Sequence, residues 1–159
     1  MSTNDEQQVQ KQGSGFLPPR WVITTAWKIH RALFRWSNGR FGLRKPNKSY
    51  GLAQLTTTGR RSGEDRSVMI GYYEDGDDFV TMAMNGWGAP EPAWWLNLQA
   101  NAEATLTLTD GAIEVVGRAA NSDERPRLWE RWQVYDKGLD GFASRRPTET
   151  AVVILTPRV

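Results

Sequence analysis

The sequence predicts a small antiparallel β-barrel with helical decoration, a mainly β fold of the α+β type. Side chains alternate between apolar and polar with a period of two over much of the chain after Gly51, and short turn sequences separate these runs. Two helical patterns interrupt the alternation. The predicted strands cover residues 51–58, 66–73, 79–84, 104–109, 113–120 and 151–156.

The turn sequences indicate that neighbouring strands run antiparallel. The links EDGDD at 74–78 and DGA at 110–112 are typical of β-hairpins. One helix is predicted to begin at Pro92, a residue suited to a first turn, and to run through AWWLNLQAN. The other has Ser122 as its predicted N-cap and continues to about Lys137.

Three regions are expected along the chain, with the barrel over residues 49–159. Residues 1–15 are polar and Gln-rich and predict a disordered tail. Residues 16–48 contain an amphipathic helix, over about residues 20–37, and a linker. His30 lies at the border of the apolar face of this helix, where packing is a more ordinary role than catalysis.

The positive charge is concentrated in the N-terminal arm. Residues 1–48 carry nine Lys and Arg against two acids, a balance of +7, whereas residues 49–159 have a balance of −5. This asymmetry argues against nucleic-acid binding by the whole domain and favours an arm that meets an anionic membrane surface, through residues 20–37, or an anionic ligand. The alternative is that its apolar face packs on the barrel.

Several kinds of chemistry are excluded by composition. The chain has no Cys and one His, which excludes disulfides, thiol catalysis, zinc-thiolate sites and a histidine pair for a metal. It has no HExxH motif or Walker loop, so an enzyme of this sequence needs an organic cofactor. No apolar run is long enough to span a bilayer and no signal-peptide pattern is present, so we expect a cytoplasmic protein, peripheral on the inner face of the membrane if the arm binds lipid.

The turn sequence TTTGRRSGEDR at 56–66 is the strongest candidate for an anion site. Arg60, Arg61 and Arg66 are permanently charged, planar donors for phosphate or carboxylate. Ser62 adds a hydroxyl, and the flanking glycines let backbone N–H groups approach a ligand. The alternative is a solvated hairpin whose arginines pair with the acidic residues that follow, and the turn by itself leaves both interpretations open.

A second candidate is the Gly- and Pro-rich loop that leads into the WW helix, over residues 85–98. Trp94 and Asn97 lie three residues apart on one face of this helix. Such a pair suits a flat heteroaromatic ring, which the indole would pack against and the amide would hydrogen-bond. The alternative is that both tryptophans, Trp94 and Trp95, belong to the core.

Two motifs make the sequence similar to the deazaflavin-dependent nitroreductase family of actinobacteria. LTTTGRRSGEDRS at 55–67 resembles the TTTGRKSG turn of that family, and PAWWLNLQANAEA at 92–104 resembles its NPxWYLNLxANP helix. The resemblance covers roughly residues 50–157. It implies a split β-barrel related to flavin reductases and FMN-binding proteins. The implied reductant is coenzyme F-420, a deazaflavin with a phospholactyl-oligoglutamate tail.

The resemblance also implies which residues bind the cofactor. The anionic tail is implied to contact Arg60, Arg61, Ser62, Gly63 and Arg66. The deazaflavin ring is implied to lie near Met69, Ile70, Met84, Asn85, Trp94 and Asn97. In the family the N-terminal helix closes over the acceptor site and can associate with membranes, and typical acceptors are quinones, nitroaromatics and conjugated enones.

The acceptor half of the sequence departs from the family pattern. Three tyrosines that line the acceptor pocket in well-known members fall on Asp136, Leu139 and Phe142. A Ser-Lys pair before the WW helix is Met84-Asn85 here, which removes a cation near the ring. Tyr135 is the nearest candidate for a proton donor, with solvent as the alternative.

These observations predict an oxidoreductase that passes a hydride from reduced coenzyme F-420 to a hydrophobic, electron-poor acceptor. Two alternatives stay open. One is a non-catalytic protein of the same fold that binds a lipid, a fatty acid or a tetrapyrrole. The other is an FMN-dependent reductase, which is the weaker alternative because FMN has one phosphate and the turn offers three arginines.

Overall fold

The computed structural model describes residues 42–159 together with Thr25, Lys28 and Ile29, which are helical. The predicted tail and most of the predicted N-terminal helix, His30 included, lie outside the described residues. The elements are β1 (Gly51–Thr58), β2 (Asp65–Asp75), β3 (Asp78–Met82), α1 (Ala93–Ala100), β4 (Glu103–Leu108), β5 (Gly111–Ala119), α2 (Arg125–Tyr135), α3 (Leu139–Ala143) and β6 (Val152–Pro157).

The six strands form one closed barrel in the order β1-β2-β3-β6-β5-β4. Every strand pair is antiparallel. Tight hairpins join β1 to β2, β2 to β3 and β4 to β5, and closure leaves no free sheet edge. The predicted six-stranded antiparallel barrel is therefore confirmed.

The start of α2 differs from the prediction, which placed the N-cap at Ser122. The helix begins at Arg125 after a turn, and the capping side chain is that of Asn121. Asn121 Oδ1 accepts hydrogen bonds from the backbone N–H groups of Asp123 (3.0 Å) and Glu124 (2.9 Å). Glu124 Oε2 in turn accepts from the backbone N–H of Asn121 (2.9 Å). This reciprocal pair satisfies the free donors at the start of the helix, as a capping box does.

Apolar side chains form two clusters, one inside the barrel and one between its outer wall and helices α2 and α3. Strand β2 serves both, because Ile70 and Tyr72 point inward while Tyr73 points outward. Helix α1 joins the inner cluster through its two tryptophans and Leu98. A Cβ on Gly117 of β5 would lie 2.9 Å from Leu98 Cδ1, so glycine at this position lets α1 pack closely on the barrel.

Candidate functional site

The arginine-bearing loop between β1 and β2, residues 59–64, is closed by its own backbone. The N–H of Gly59 donates to the carbonyl of Glu64 (2.8 Å), and the N–H of Gly63 donates to the carbonyl of Gly59 (2.7 Å). Gly63 has φ +71, a left-handed conformation that favours glycine. We refer to residues 59–66 as the cationic turn.

One arginine of the cationic turn is paired with an acid. Arg66 Nη2 lies 2.8 Å from Glu64 Oε2, and both side chains are mostly exposed. Ser62 Oγ accepts from the backbone N–H of Glu64 (3.2 Å) and from Arg66 Nη2 (3.4 Å). The solvated-hairpin interpretation therefore describes Arg66 but not the turn as a whole.

The other two arginines, Arg60 and Arg61, have no carboxylate partner in the described part of the chain. Both side chains are exposed, and Arg61 makes no hydrogen bond to any described residue. Within residues 42–159, the backbone N–H groups of Arg61 and Ser62 also lack an acceptor. The turn thus presents two unpaired guanidinium charges and two free amide donors, a donor set suited to phosphate or carboxylate.

Asn97 of α1 fixes the cationic turn to the barrel. Its side chain is buried, and Oδ1 accepts from the backbone N–H (3.2 Å) and Nη1 (3.3 Å) of Arg60. Its Nδ2 donates to Thr57 Oγ1 on β1 at 3.1 Å. The Asn97 amide was predicted to hydrogen-bond the ring of a cofactor. Its oxygen and one of its N–H groups are instead bonded to Arg60 and Thr57, which holds the turn in place. One Nδ2 proton is left for a ligand.

The predicted ring-contact residues on α1 and β2 are largely buried. Trp94 is 7% exposed, lies edge-on to Trp95 at 6.3 Å between ring centroids, and belongs to the inner core. Ile70 also points into the barrel, whereas Met69, half-buried, points to the other face of β2. A ring that lies against this strand would meet the side chain of Met69 and the backbone of Ile70.

The loop over residues 83–91 joins β3 to α1 and contains a strained turn. The carbonyl of Asn85 accepts from the N–H of Gly88 at 2.9 Å. Gly86 and Trp87 between them have φ 55 and φ 60, as in a type I′ turn. For a residue with a Cβ this conformation costs about 1–2 kcal/mol. Trp87 is the one described non-glycine residue with positive φ.

Residues 83–91 contact helix α3 through Trp87. The indole of Trp87 stacks on the ring of Phe142 in α3, with centroids 6.0 Å apart and planes at 19°. Met84 is 42% exposed and Asn85 is exposed, so the two predicted ring-contact residues of this loop face solvent. Phe142 is one of the positions where the resemblance implies a pocket tyrosine.

A buried arginine that sequence reasoning missed organises the same loop. The Arg146 side chain is 0% exposed. Its guanidinium donates to the carbonyls of Ala83 (3.2 Å) and Gly88 (3.2 Å), to Thr150 Oγ1 (2.8 Å) and to Glu91 Oε1 (3.2 Å). Sequence offers no signal for it, since an arginine within SRRPTET is typical of a solvated segment.

Tyr135, the predicted proton donor, lies near the end of α2 in an aromatic cluster. Its ring centroid is 6.5 Å from that of Tyr50, 6.0 Å from Tyr73 and 5.9 Å from Trp132. The Tyr135 hydroxyl has no hydrogen-bond partner among the described residues. Burial, with Asp75 nearby, raises the pKa of Tyr73, whose hydroxyl donates to a backbone carbonyl of α2 at 2.9 Å.

The remaining positions implied for the acceptor pocket differ in exposure. Leu139 is fully buried in the outer core, and Asp136 is half-buried, with Oδ1 accepting from the N–H of Gly138 at 3.0 Å. In the described residues no helix is long and apolar enough to cross a membrane.

Comparison with known proteins agrees with the family resemblance of the sequence. The model of the F420H(2)-dependent quinone reductase family matches residues 26–157. An F420H(2)-dependent quinone reductase of Mycobacterium tuberculosis is 28% identical over 143 residues, which cover 87% of this chain and 95% of that protein.

Solved structures share the barrel. One described as a domain-swapped dimer has a TM-score of 0.63 at 22% identity and covers 86% of this chain and 97% of its own. An F420-H2 dependent reductase has a TM-score of 0.59 at 22% identity, with 65% and 92% covered. A heme storage protein of Vibrio cholerae has a TM-score of 0.52 at 10% identity, with 68% and 82% covered. At these identities the structures show a shared fold.

Proposed function

The chain belongs to the F420H(2)-dependent quinone reductase family, and we propose that it delivers a hydride from reduced coenzyme F-420 to a hydrophobic, electron-poor acceptor. A quinone is the first candidate, with nitroaromatics and conjugated enones as further classes. The observation that supports this most is the cationic turn, which has two arginines without a carboxylate partner among the described residues and is fixed to α1 by the bonds from Arg60 to Asn97.

The residues of the cationic turn fit the anionic tail of the coenzyme. Arg60 and Arg61 are free to pair with phosphate or carboxylate, and the amide N–H groups of Arg61 and Ser62 add directed donors. Arg66 can exchange Glu64 for the tail at little cost, because an exposed ion pair contributes only about 0–1 kcal/mol. Gly63 allows the left-handed conformation of the turn, at φ +71, and the space around it is open to a ligand, since no atom lies within 4 Å of the position of a Cβ there.

The bound coenzyme supplies the hydride, so the chain has to bind, orient and shield it. We assign the ring to the face of β2 that carries Met69, with the exposed residues Met84 and Asn85 and the backbone of Ile70 as further contacts. Trp94 is buried in the inner core, so its ring packs α1 against the barrel and has no free face for the coenzyme. This division places charge recognition at the turn and apolar contact at the strand.

The proton that accompanies the hydride has two candidate sources. Tyr135 stays a prediction, supported by a hydroxyl that is free of other hydrogen bonds in the described residues. Solvent is the alternative. If Tyr135→Phe leaves kcat unchanged, the proton comes from solvent.

Coenzyme binding tests the proposed function directly. We expect saturable binding of F-420 in calorimetric titration, and we expect Arg60→Ala/Arg61→Ala to raise Kd by about 100-fold or more, because each charge-assisted hydrogen bond contributes about 1.5–3 kcal/mol. The matched control Arg127→Ala/Arg158→Ala removes the same charge from two exposed ion pairs elsewhere and should leave Kd near that of the wild type.

Other results would contradict the proposal. Absence of F-420 binding, or equal losses in the arginine pair and its control, would remove the role of the cationic turn. Native mass spectrometry of freshly purified protein tests the two alternatives. If the chain has no affinity for F-420, co-purified FMN would indicate an FMN-dependent reductase. Co-purified lipid would then indicate a non-catalytic binding protein.

A further inference from the structure

In the loop before α1, residues 83–90 carry no charged side chain, and Glu91 at the end of the loop is paired with Arg146. No charged residue occurs between Asp78 and Glu91 in the sequence. Met84 is 42% exposed and the indole of Trp87 is half-buried. Large exposed apolar side chains next to a ligand site indicate contact with an apolar partner.

Helix α1 separates this apolar loop from the cationic turn. Asn97 holds the turn, and Pro92 joins the helix to the loop. The two residues stand about 7.5 Å apart along the helix axis at 1.5 Å per residue. The cationic turn therefore lies at one part of α1 and a loop without charged side chains over residues 83–90 at its start, while the Arg145 guanidinium lies 5.5 Å from the Phe142 ring on the side of α3.

The backbone at Trp87 indicates that the indole itself matters. At φ 60 glycine is the residue of least strain, yet the sequence keeps a large ring there. One face of that ring is covered by Phe142. Left-handed non-glycine residues persist where neighbouring contacts over-determine them, and they cluster at ligand sites.

Arg146 supplies those contacts. It binds the loop at its start through the Ala83 carbonyl, in its middle through the Gly88 carbonyl, and at its end through Glu91. The side chain is fully buried and its Glu91 partner is partly buried, so this ion pair is shielded from solvent more than a surface pair. A planar guanidinium with five donors can make these bonds at once, which an ammonium cannot.

We propose that Trp87 contacts the acceptor, a planar, uncharged and hydrophobic molecule of the quinone class, and that Arg146 is the positioning residue that holds Trp87 in place. The acceptor class rests on the proposed function. The site itself rests on the absence of charged side chains over residues 83–90 and on the geometry of the backbone and indole at Trp87.

Quinone binding to the full chain tests the contact. With 2-methyl-1,4-naphthoquinone as the probe in equilibrium dialysis, Trp87→Gly should raise Kd by about 2- to 13-fold, since an aromatic pair contributes about 0.5–1.5 kcal/mol beyond the area it buries. Glycine suits the backbone here, so the loss reports the ring. Trp87→Phe should keep much of the affinity, and the control Val134→Ala, an exposed apolar side chain on α2, should leave Kd unchanged.

A double-mutant comparison tests the positioning role. Arg146→Lys keeps the charge but cannot reach four acceptors, so we expect a several-fold rise in the quinone Kd and KM with the F-420 Kd within about twofold of the wild type. In the Trp87→Gly background, Arg146→Lys should add almost nothing. A merely structural arginine would lower affinity by the same factor in both backgrounds.

The outcomes distinguish this inference from the proposed function. A wild-type chain that does not bind the quinone, or a Trp87→Gly variant with unchanged Kd, overturns the inference. So does an Arg146→Lys variant that raises both Kd values equally. If the wild type binds the quinone through Trp87 but neither binds nor oxidises reduced F-420, the inference stands and the proposed function fails.

Discussion

Asn97 links three parts of the molecule through one side chain. It accepts from two donors of Arg60 and donates to Thr57, so the conformation of the cationic turn depends on α1. An amide suits this position because it offers an acceptor and a donor on one planar group. A ligand that binds Arg60 therefore also affects the position of α1, the helix that follows residues 83–91.

Removal of this amide should destabilise the fold and weaken coenzyme binding together. We expect Asn97→Ala to lower the free energy of unfolding by about 1–3 kcal/mol, because the N–H of Arg60 and the hydroxyl of Thr57 lose a buried partner. Urea unfolding and F-420 titration measure the two effects. The control Gln99→Ala, exposed on the same helix, should change neither.

Asn97→Asp separates the two functions of the amide. It keeps the acceptor for Arg60 but places a carboxylate beside that arginine, so the turn should be held better than in Asn97→Ala while the affinity for the anionic tail of F-420 falls further. A higher affinity for F-420 in Asn97→Asp than in Asn97→Ala would contradict an anion site at the turn.

Among the elements, α2 shows how local side chains fix a helix start. Glu124 accepts from the backbone N–H of Asn121 and from both terminal nitrogens of Arg118, at 2.7 and 2.8 Å. Arg118 first, and then the Asn121 bond, lower the pKa of Glu124 to about 2. The carboxylate therefore joins β5 to the beginning of the helix.

This pKa predicts a pH dependence of stability. Because the folded-state pKa is depressed, the contribution of Glu124 is present above the ordinary value of 4.5 and is lost as pH falls through about 2. The difference in unfolding free energy between the wild type and Glu124→Gln should be largest at neutral pH and should shrink from pH 4.5 downward. Urea unfolding at pH 7, 5 and 3 measures it.

The control is Glu130→Gln on the same helix. Glu130 is exposed and has no hydrogen-bond or ion-pair partner among the described residues, so its difference from the wild type should not vary in this range. If the difference in unfolding free energy between the wild type and Glu124→Gln is the same at every pH, the charge of Glu124 has no role in the cap.

At the scale of the whole molecule, the cationic turn is bonded to α1 through Asn97, and residues 83–91 lead into the start of the same helix. The N-terminal arm would add a second surface. The expectation that residues 20–37 meet an anionic membrane remains a prediction, based on the +7 balance of residues 1–48, since most of these residues lie outside the described part.

Liposome sedimentation tests that prediction. We expect the full chain to bind anionic vesicles at low salt and not to bind neutral vesicles. Binding should weaken as the ionic strength rises, because salt screens exposed charges. A chain that lacks residues 1–37 should lose this binding, with its thermal unfolding checked alongside. Equal binding by the shortened chain would refute a role for the arm.

Much of the fold could be predicted because its signals are local. Strand β1 was predicted over its full observed range, and the other strands to within a few residues, since alternation and turn residues act between near neighbours. The position of the cationic turn follows from the same signals. The short helix α3 was not predicted as an element, because LDGFA is too brief to show a helical period.

The sequence by itself determined the strands, the hairpins and the charge of the turn. The tertiary structure decided which arginines have a carboxylate partner, since Arg66 pairs with Glu64, Arg60 bonds the neutral amide of Asn97, and Arg61 makes no hydrogen bond to a described residue. It also decided that Arg146 is buried, by bringing it against a carbonyl 63 residues away. Local periodicity specifies secondary structure, but the partners of a polar side chain are set by distant segments that meet only when the barrel closes.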